Sequence, residues 1–112
     1  MKSVFYMIGI RLLLGASMAD AAEILTDGKG LTVYTYDNDQ GNVSYCYGGC
    51  EKAWPPVLDL GLQDQQTGLT TRNDGKVQIT YAGKPLYYYV GDQSAGDMNG
   101  DGLGGVWHVI SK

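Results

Sequence analysis

Two segments of this chain repeat one another. Val33-Tyr34-Thr35-Tyr36-Asp37-Asn38-Asp39 and Leu86-Tyr87-Tyr88-Tyr89-Val90-Gly91-Asp92 both read apolar-Tyr-x-Tyr-x-x-Asp, 53 positions apart. The same offset brings Gly30 onto Gly83, Gly49 onto Gly102, Trp54 onto Trp107 and Val57 onto Ile110. One register that aligns glycines, tyrosines, aspartates and tryptophans in so short a chain marks a duplication. A unit of this size encloses little interior by itself, so both copies are needed to build one core. The sequence therefore predicts a single small domain, residues 22–112, made of two pseudo-symmetric halves at about 22–66 and 67–112.

Residues 1–21 read as a signal peptide. Lys2 precedes an apolar run, and Ala19-Asp20-Ala21 supplies an A-x-A cleavage pattern. Arg11 interrupts that run, leaving uncharged stretches well short of the ~20 residues a spanning helix needs. No transmembrane span is expected in the mature chain. The expectation is an exported protein, periplasmic or secreted, soluble after cleavage. The full chain carries a net charge of −4, and loss of Lys2 and Arg11 with the leader leaves the remainder more acidic. Negative charge excludes a phosphate backbone as a natural partner and disfavours adhesion to anionic lipid. The eight Tyr and two Trp of residues 22–112 are the means by which a small domain can bury area, because each such side chain covers much surface.

Glycine-containing connections between β-branched and aromatic runs signal strand-turn-strand units. Ile24–Thr26 leads through Asp27-Gly28-Lys29-Gly30 into Leu31–Tyr36. Leu69–Arg72, Lys76–Tyr81 and Leu86–Val90 read as a three-stranded meander. Alternation puts Val77, Ile79 and Tyr81 on one face of their strand, and Leu86, Tyr88 and Val90 on one face of the next. Tyr87 and Tyr89 then share the opposite face, as Tyr34 and Tyr36 do in the first half. Trp107–Ile110 reads as a closing strand. Only Gly49–Trp54, stopped by Pro55-Pro56, has helical character, and it holds a turn or two. The predicted fold is all-β, mostly antiparallel, with one short helical turn.

The twice-occurring Y-x-[FWY]-x-x-D (Tyr34/Tyr36/Asp39 and Tyr87/Tyr89/Asp92), the intervening CYGGCEKAWPP and the terminal GDMNGDGLGGVWHV together resemble the secreted-repeat lipoproteins of unknown function, a family of bacterial envelope proteins. The resemblance covers essentially the whole mature chain. It implies an exported, non-cytoplasmic domain with no established activity. Unlike many members, this chain has no Cys after the apolar run to accept a lipid.

Three constellations carry whatever chemistry there is. Each motif carboxylate sits just past a strand, where it can accept hydrogen bonds from backbone N–H groups or a Tyr hydroxyl and fix the turn. In that arrangement Tyr34, Tyr36, Trp54, Tyr87, Tyr89 and Trp107 pack the sheet while Asp39 and Asp92 cap its corners. Duplication favours this arrangement over its alternative, in which rings and carboxylates line a groove for a sugar or peptide. Cys46 and Cys50, an even pair in an exported chain, are expected to form a disulfide that stabilises by only about 2 kcal/mol because the loop is short. The sharper alternative is a periplasmic copper or redox site, with His108 or Met98 completing a soft ligand set. Asp97-x-Asn99-x-Asp101-Gly102 matches the opening of a calcium loop, and Asp92 is a further oxygen donor. His108 stands where the bidentate Glu would be, so a connecting loop is expected, with calcium as the alternative.

His108, the one histidine, lies in a strand pattern and reads as a hydrogen-bonded sheet residue. No nucleophile, base and orienting group occur in a recognisable pattern, so an enzyme is not expected. The expected role is an exported, non-catalytic binding or structural module for an unknown envelope or extracellular ligand. The alternative is the copper or redox protein built on Cys46 and Cys50.

Overall fold

A computed structural model describes residues 23–61 and 63–112. The expected signal peptide lies outside the described residues. The elements are β1 (Tyr34–Tyr36), α1 (Gly49–Ala53), β2 (Thr67–Thr71), β3 (Val77–Tyr81), β4 (Lys84–Pro85), a 3-10 turn (Leu103–Gly105) and β5 (Trp107–Val109). They form two antiparallel sheets, β1-β5 and β2-β3-β4. This is the mostly antiparallel β architecture with one short helix that the sequence predicts.

The duplication is visible in which strand pairs with which. β1 pairs not within its own half but with β5 of the other, in the register Tyr34↔Val109, Thr35↔His108, Tyr36↔Trp107. Shifted by 53 positions, the first of these becomes Tyr87↔Pro56, and that bridge is present. The flanking hydrogen bonds repeat as well. Asp37 N–H donates to Val106 O at 2.8 Å, and its image, Val90 N–H, donates to Ala53 O at 3.0 Å. On the pseudo-axis Tyr34 and Tyr87 bond to each other reciprocally, N–H to O, at 2.8 and 3.0 Å. Helix α1 and the 3-10 turn are likewise images, each delivering the chain into a Trp.

Two clusters fill the interior. One is aliphatic: Leu25, Val33, Val57, Leu60, Ile79 and Leu86, with Tyr81, Tyr88 and Ile110 packed against it. The other is aromatic: Tyr34, Tyr87, Trp54, Trp107 and Cys46, with Tyr36, Tyr89 and Cys50 at its margins. Since successive strand residues face opposite sides, Val33 and Leu86 enter the first cluster while Tyr34 and Tyr87 enter the second. The alternation seen in the sequence thus divides the interior in two.

The structure departs from expectation in the second half. The meander is present, but its third strand is Lys84–Pro85 and not the expected Leu86–Val90. After Lys84–Pro85 the chain leaves β3 and threads between the halves, where Tyr87 bridges both Tyr34 and Pro56. A reading of local hairpins misses this, because the partners are distant in sequence. Val77 is exposed although its alternate Ile79 is buried, and Gln78 is fully buried. The reason lies in Arg72: its guanidinium is buried too, and Gln78 serves it.

Candidate functional site

The centre of the molecule is a stack of four rings. Trp54 and Trp107 lie face to face, centroids 3.8 Å apart and planes within 2°. Tyr36 stacks on the outer face of Trp107 at 4.2 Å, and Tyr89 on the outer face of Trp54 at 4.4 Å. Tyr34 and Tyr87 meet the tryptophans edge-on, at 5.3 Å to Trp54 and 5.2 Å to Trp107. Every contact has its image in the other half. Tyr34, Tyr87 and both tryptophans are thus turned inward, while Tyr36 and Tyr89 cover the ends of the stack and remain partly exposed. Stacked and edge-to-face pairs each add about 0.5–1.5 kcal/mol beyond area burial, so this cluster carries a large share of the stability. Gly100 is placed by the same packing: a Cβ there would fall 2.6 Å from Trp54 Cη2, so only glycine lets the backbone run across the ring.

The buried phenols need partners, and the motif aspartates supply them. Tyr34 OH donates to Asp92 Oδ2 at 2.6 Å, and its image Tyr87 OH donates to Asp39 Oδ2 at 2.9 Å. The other oxygen of each carboxylate fixes a loop, Asp39 Oδ1 accepting from Tyr45 N–H at 2.8 Å and Asp92 Oδ1 from Asn99 N–H at 2.9 Å. Burial first, and then the neighbouring carboxylate, push both phenols well above the ordinary tyrosine value. Burial also raises Asp39, against the opposing effect of its hydrogen bonds and of Arg72.

Beyond this shared frame the halves diverge. In the second, Tyr34 OH accepts a hydrogen bond from Gly100 N–H at 3.1 Å. In the first, Tyr87 OH meets Ser44 Oγ, which accepts from Arg72 Nη1 at 2.9 Å. Arg72 reaches in from the end of β2. It also bonds Gln78 Oε1 at 2.9 Å, Cys46 O at 2.8 Å and Glu51 Oε1 at 3.1 Å, and lies over the Tyr47 ring at 4.4 Å. Sequence reasoning missed this residue, because it closes the strand pattern Leu69–Arg72 beside the Asn73-Asp74-Gly75 turn, where a charged side chain ordinarily reaches water. The one available signal was its position just ahead of a turn that follows a β-rich run.

Cys46 and Cys50 form the disulfide expected of them, and their sulfurs border the aromatic cluster. In that state they offer no thiolate to a soft metal. Met98 and His108 belong to other surroundings: Met98 is exposed on the glycine-rich loop, and His108 Nε2 lies 2.8 Å from Asp37 Oδ2. The calcium-like residues are turned to separate tasks. Asp97 Oδ2 accepts from Gln93 and Ser94 N–H, Asn99 Nδ2 donates to Gly91 O, and Asp101 Oδ1 accepts from Val109 N–H. Among the described residues, no three His, Cys, Asp or Glu side chains converge as a metal-holding group.

The ligand-sized concavity lies elsewhere, beside β1. One lobe, of about 640 Å³, is lined by Thr35, Tyr36, Asp37, Asp39, Asn42 and Lys84 among others. A second, of about 370 Å³, shares Thr35, Asp37 and Lys84 and adds His108 and Ser111. Such volumes suit a small ligand. The duplication explains the opening: Thr35 is small where its image, Tyr88, is a ring packed on the aliphatic cluster, with its hydroxyl bonded to Asp27 Oδ2 at 2.8 Å. The Asp37–His108 pair on this face has Val90 and Pro55 as its images. The cleft is therefore a place where the two halves have stopped resembling each other.

Fold and site together define a class: a pseudo-two-fold β domain, cored by a Trp pair and two reciprocal Tyr–Asp pairs, built from a tandem repeat. The chain belongs to the family described as secreted repeat of unknown function, which it matches twice, over residues 17–58 and 68–111. The two matches coincide with the two structural halves. No curated protein and no solved structure matches the chain. Among the described residues, no helix is long and apolar enough to cross a membrane.

Proposed function

We propose that this is an exported, non-catalytic binding module of the cell envelope or its exterior, and that the ligand is a polar one held in the cleft beside β1. A single observation carries the reading. Where the halves must cooperate in packing, paired positions keep the same residue: Tyr34 with Tyr87, Trp54 with Trp107, Asp39 with Asp92. Where they are free of that task, Asp37 of the first half and Lys84 and His108 of the second stand around a recess beside Thr35, while the position equivalent to Thr35 is filled by Tyr88. Carboxylates, the Lys84 ammonium, the His108 imidazole and the Tyr36 ring around one hollow suit a hydrogen-bonding ligand such as a saccharide or short peptide.

The test is an amide-shift titration of the isotope-labelled protein with soluble peptidoglycan fragments and, separately, with envelope polysaccharide. Binding should move the resonances of Thr35, Asp37, Lys84 and His108. The double variant Lys84→Ala/His108→Ala should abolish that response while lowering the melting temperature by no more than about 4–8 °C, since the exposed Asp37–His108 pair contributes only ~0–1 kcal/mol. Shifts confined to other surfaces, or none with either ligand class, would refute the assignment.

A further inference from the structure

Packing alone does not explain the choice of rings at the centre of this molecule. Phe fills space as well as Tyr and needs no partner for a buried hydroxyl, yet the described residues contain Tyr and Trp and no Phe. Tyr and Trp differ from Phe in one chemical respect that bears on a stack: their π systems give up a single electron far more readily. Rings in face contact exchange electrons readily as well, because their π orbitals overlap directly.

The geometry adds three further elements. The stack Tyr36–Trp107–Trp54–Tyr89 is continuous, with successive centroids 4.2, 3.8 and 4.4 Å apart. Both of its terminal rings are partly exposed, while both tryptophans are buried, so the stack runs from one surface to another. Finally, each Trp is touched edge-on by a fully buried Tyr whose hydroxyl already donates to a carboxylate, Tyr34 to Asp92 and Tyr87 to Asp39. A phenol that loses an electron becomes a strong acid and must shed its proton. A carboxylate in hydrogen-bond contact is the acceptor that lets electron and proton leave together.

We propose that the four-ring stack conducts one-electron oxidising equivalents from the protein surface to the buried pair Tyr34 and Tyr87, with Asp92 and Asp39 as their proton acceptors. The step balances as follows. An outer-sphere one-electron oxidant takes an electron from Tyr36 or Tyr89 and is itself reduced. The vacancy moves into the Trp54–Trp107 pair. Tyr34 or Tyr87 then returns an electron to the indole and passes its phenolic proton to Asp92 Oδ2 or Asp39 Oδ2, leaving a neutral tyrosyl radical beside a protonated carboxyl. A one-electron reductant of the ascorbate type, acting at the surface, reverses each transfer and restores the starting state. No bond between heavy atoms is made or broken. The function is the reversible storage of an oxidising equivalent, which suits a protein outside the cytoplasm. It shares Tyr36 with the cleft but needs no ligand there.

The experiment is flash photolysis of the intact, disulfide-bonded protein with a ruthenium tris-bipyridine sensitiser and persulfate as the sacrificial oxidant, followed by transient absorption. A tryptophan radical should appear and decay as a tyrosyl radical grows, and that growth should slow in deuterated water. Spin trapping and peptide mapping should place the radical on buried Tyr34 and Tyr87. Trp107→Phe, which keeps a ring in the stack, should lose the tyrosyl signal at Tyr87; Asp39→Asn should retain the tryptophan signal but slow tyrosyl growth at that site. Mapping of the unmodified protein decides the matter even if a variant fails to fold. Radicals confined to exposed Tyr45 and Met98, or an unchanged tyrosyl yield in folded Trp107→Phe, would overturn the proposal.

Discussion

The two halves of this domain share a frame and differ in what they hang on it. Each contributes one Trp, one stacked Tyr, one buried Tyr and one Asp, and these occupy equivalent places around the pseudo-axis. The loop ahead of each Trp shows the opposite behaviour. In the first half it is tied by the Cys46–Cys50 disulfide and the buried Arg72, which bonds Ser44, Cys46 O and Glu51. In the second it is a glycine-rich run whose aspartates hold the turns, Asp97 through Gln93 and Ser94 N–H and Asp101 through Val109 N–H. The same packing requirement has been met once with covalent and ionic ties and once with backbone hydrogen bonds. Duplication fixes the centre, where each residue answers to its image. The periphery answers only to its own loop.

That contrast can be broken most sharply at the tryptophans. Trp54→Ala and Trp107→Ala should each destabilise by about 3–5 kcal/mol, the usual cost of emptying a buried aromatic site, and by similar amounts, because the contacts of each mirror those of the other. Urea unfolding read by circular dichroism measures both. A difference of several kcal/mol between them would show that the symmetry is one of shape and not of energy.

The loops should respond unequally. Replacing both cysteines, Cys46→Ser with Cys50→Ser, should cost about 2 kcal/mol, as befits a short closed loop in the chain-entropy model. The loss should concentrate in the first half: amide exchange should accelerate around residues 44–54 while residues 97–107 stay as protected as before. Equal acceleration in both would mean that the disulfide supports the whole core and not its own loop.

The gentlest probe is pH. Tyr34, Tyr87 and Tyr88 all titrate above the ordinary value of 10.0, chiefly because they are buried. A phenol raised in the folded state keeps its proton while the unfolded chain releases one. The stability these groups contribute is therefore complete below pH 10.0 and declines as pH rises through their folded values. Unfolding followed by tyrosinate absorbance should show this decline, shared between Tyr34 and Tyr87. Asp39→Asn should alter the Tyr87 contribution and leave that of Tyr34 in place.

Much of this frame was legible in the sequence because it is repeated there. One offset identifies the Trp pair, the two Tyr–x–Tyr units and the capping aspartates, and Pro55-Pro56 ends α1 where expected. What escaped has no local signature. Arg72 ends a strand pattern next to a polar turn, where a charged side chain ordinarily faces water, and only the long-range approach of Ser44, Cys46 and Glu51 makes it an interior residue. Gln78 sits at a position that alternation alone cannot place, and it is buried because Arg72 needs an acceptor. The cleft was invisible for a related reason: it arises from the difference in size between Thr35 and Tyr88. Asp97, Asn99 and Asp101 show the reverse problem, since regular spacing in sequence says nothing about whether side chains turn toward a common point.

The cross-pairing of β1 with β5 has a consequence for any piece of this protein. A solitary repeat, cut away at the junction between the copies, would present an unmated strand and one indole face with nothing upon it. Its most economical escape from water is another identical fragment, turned through half a revolution. The linker between the copies makes that encounter intramolecular.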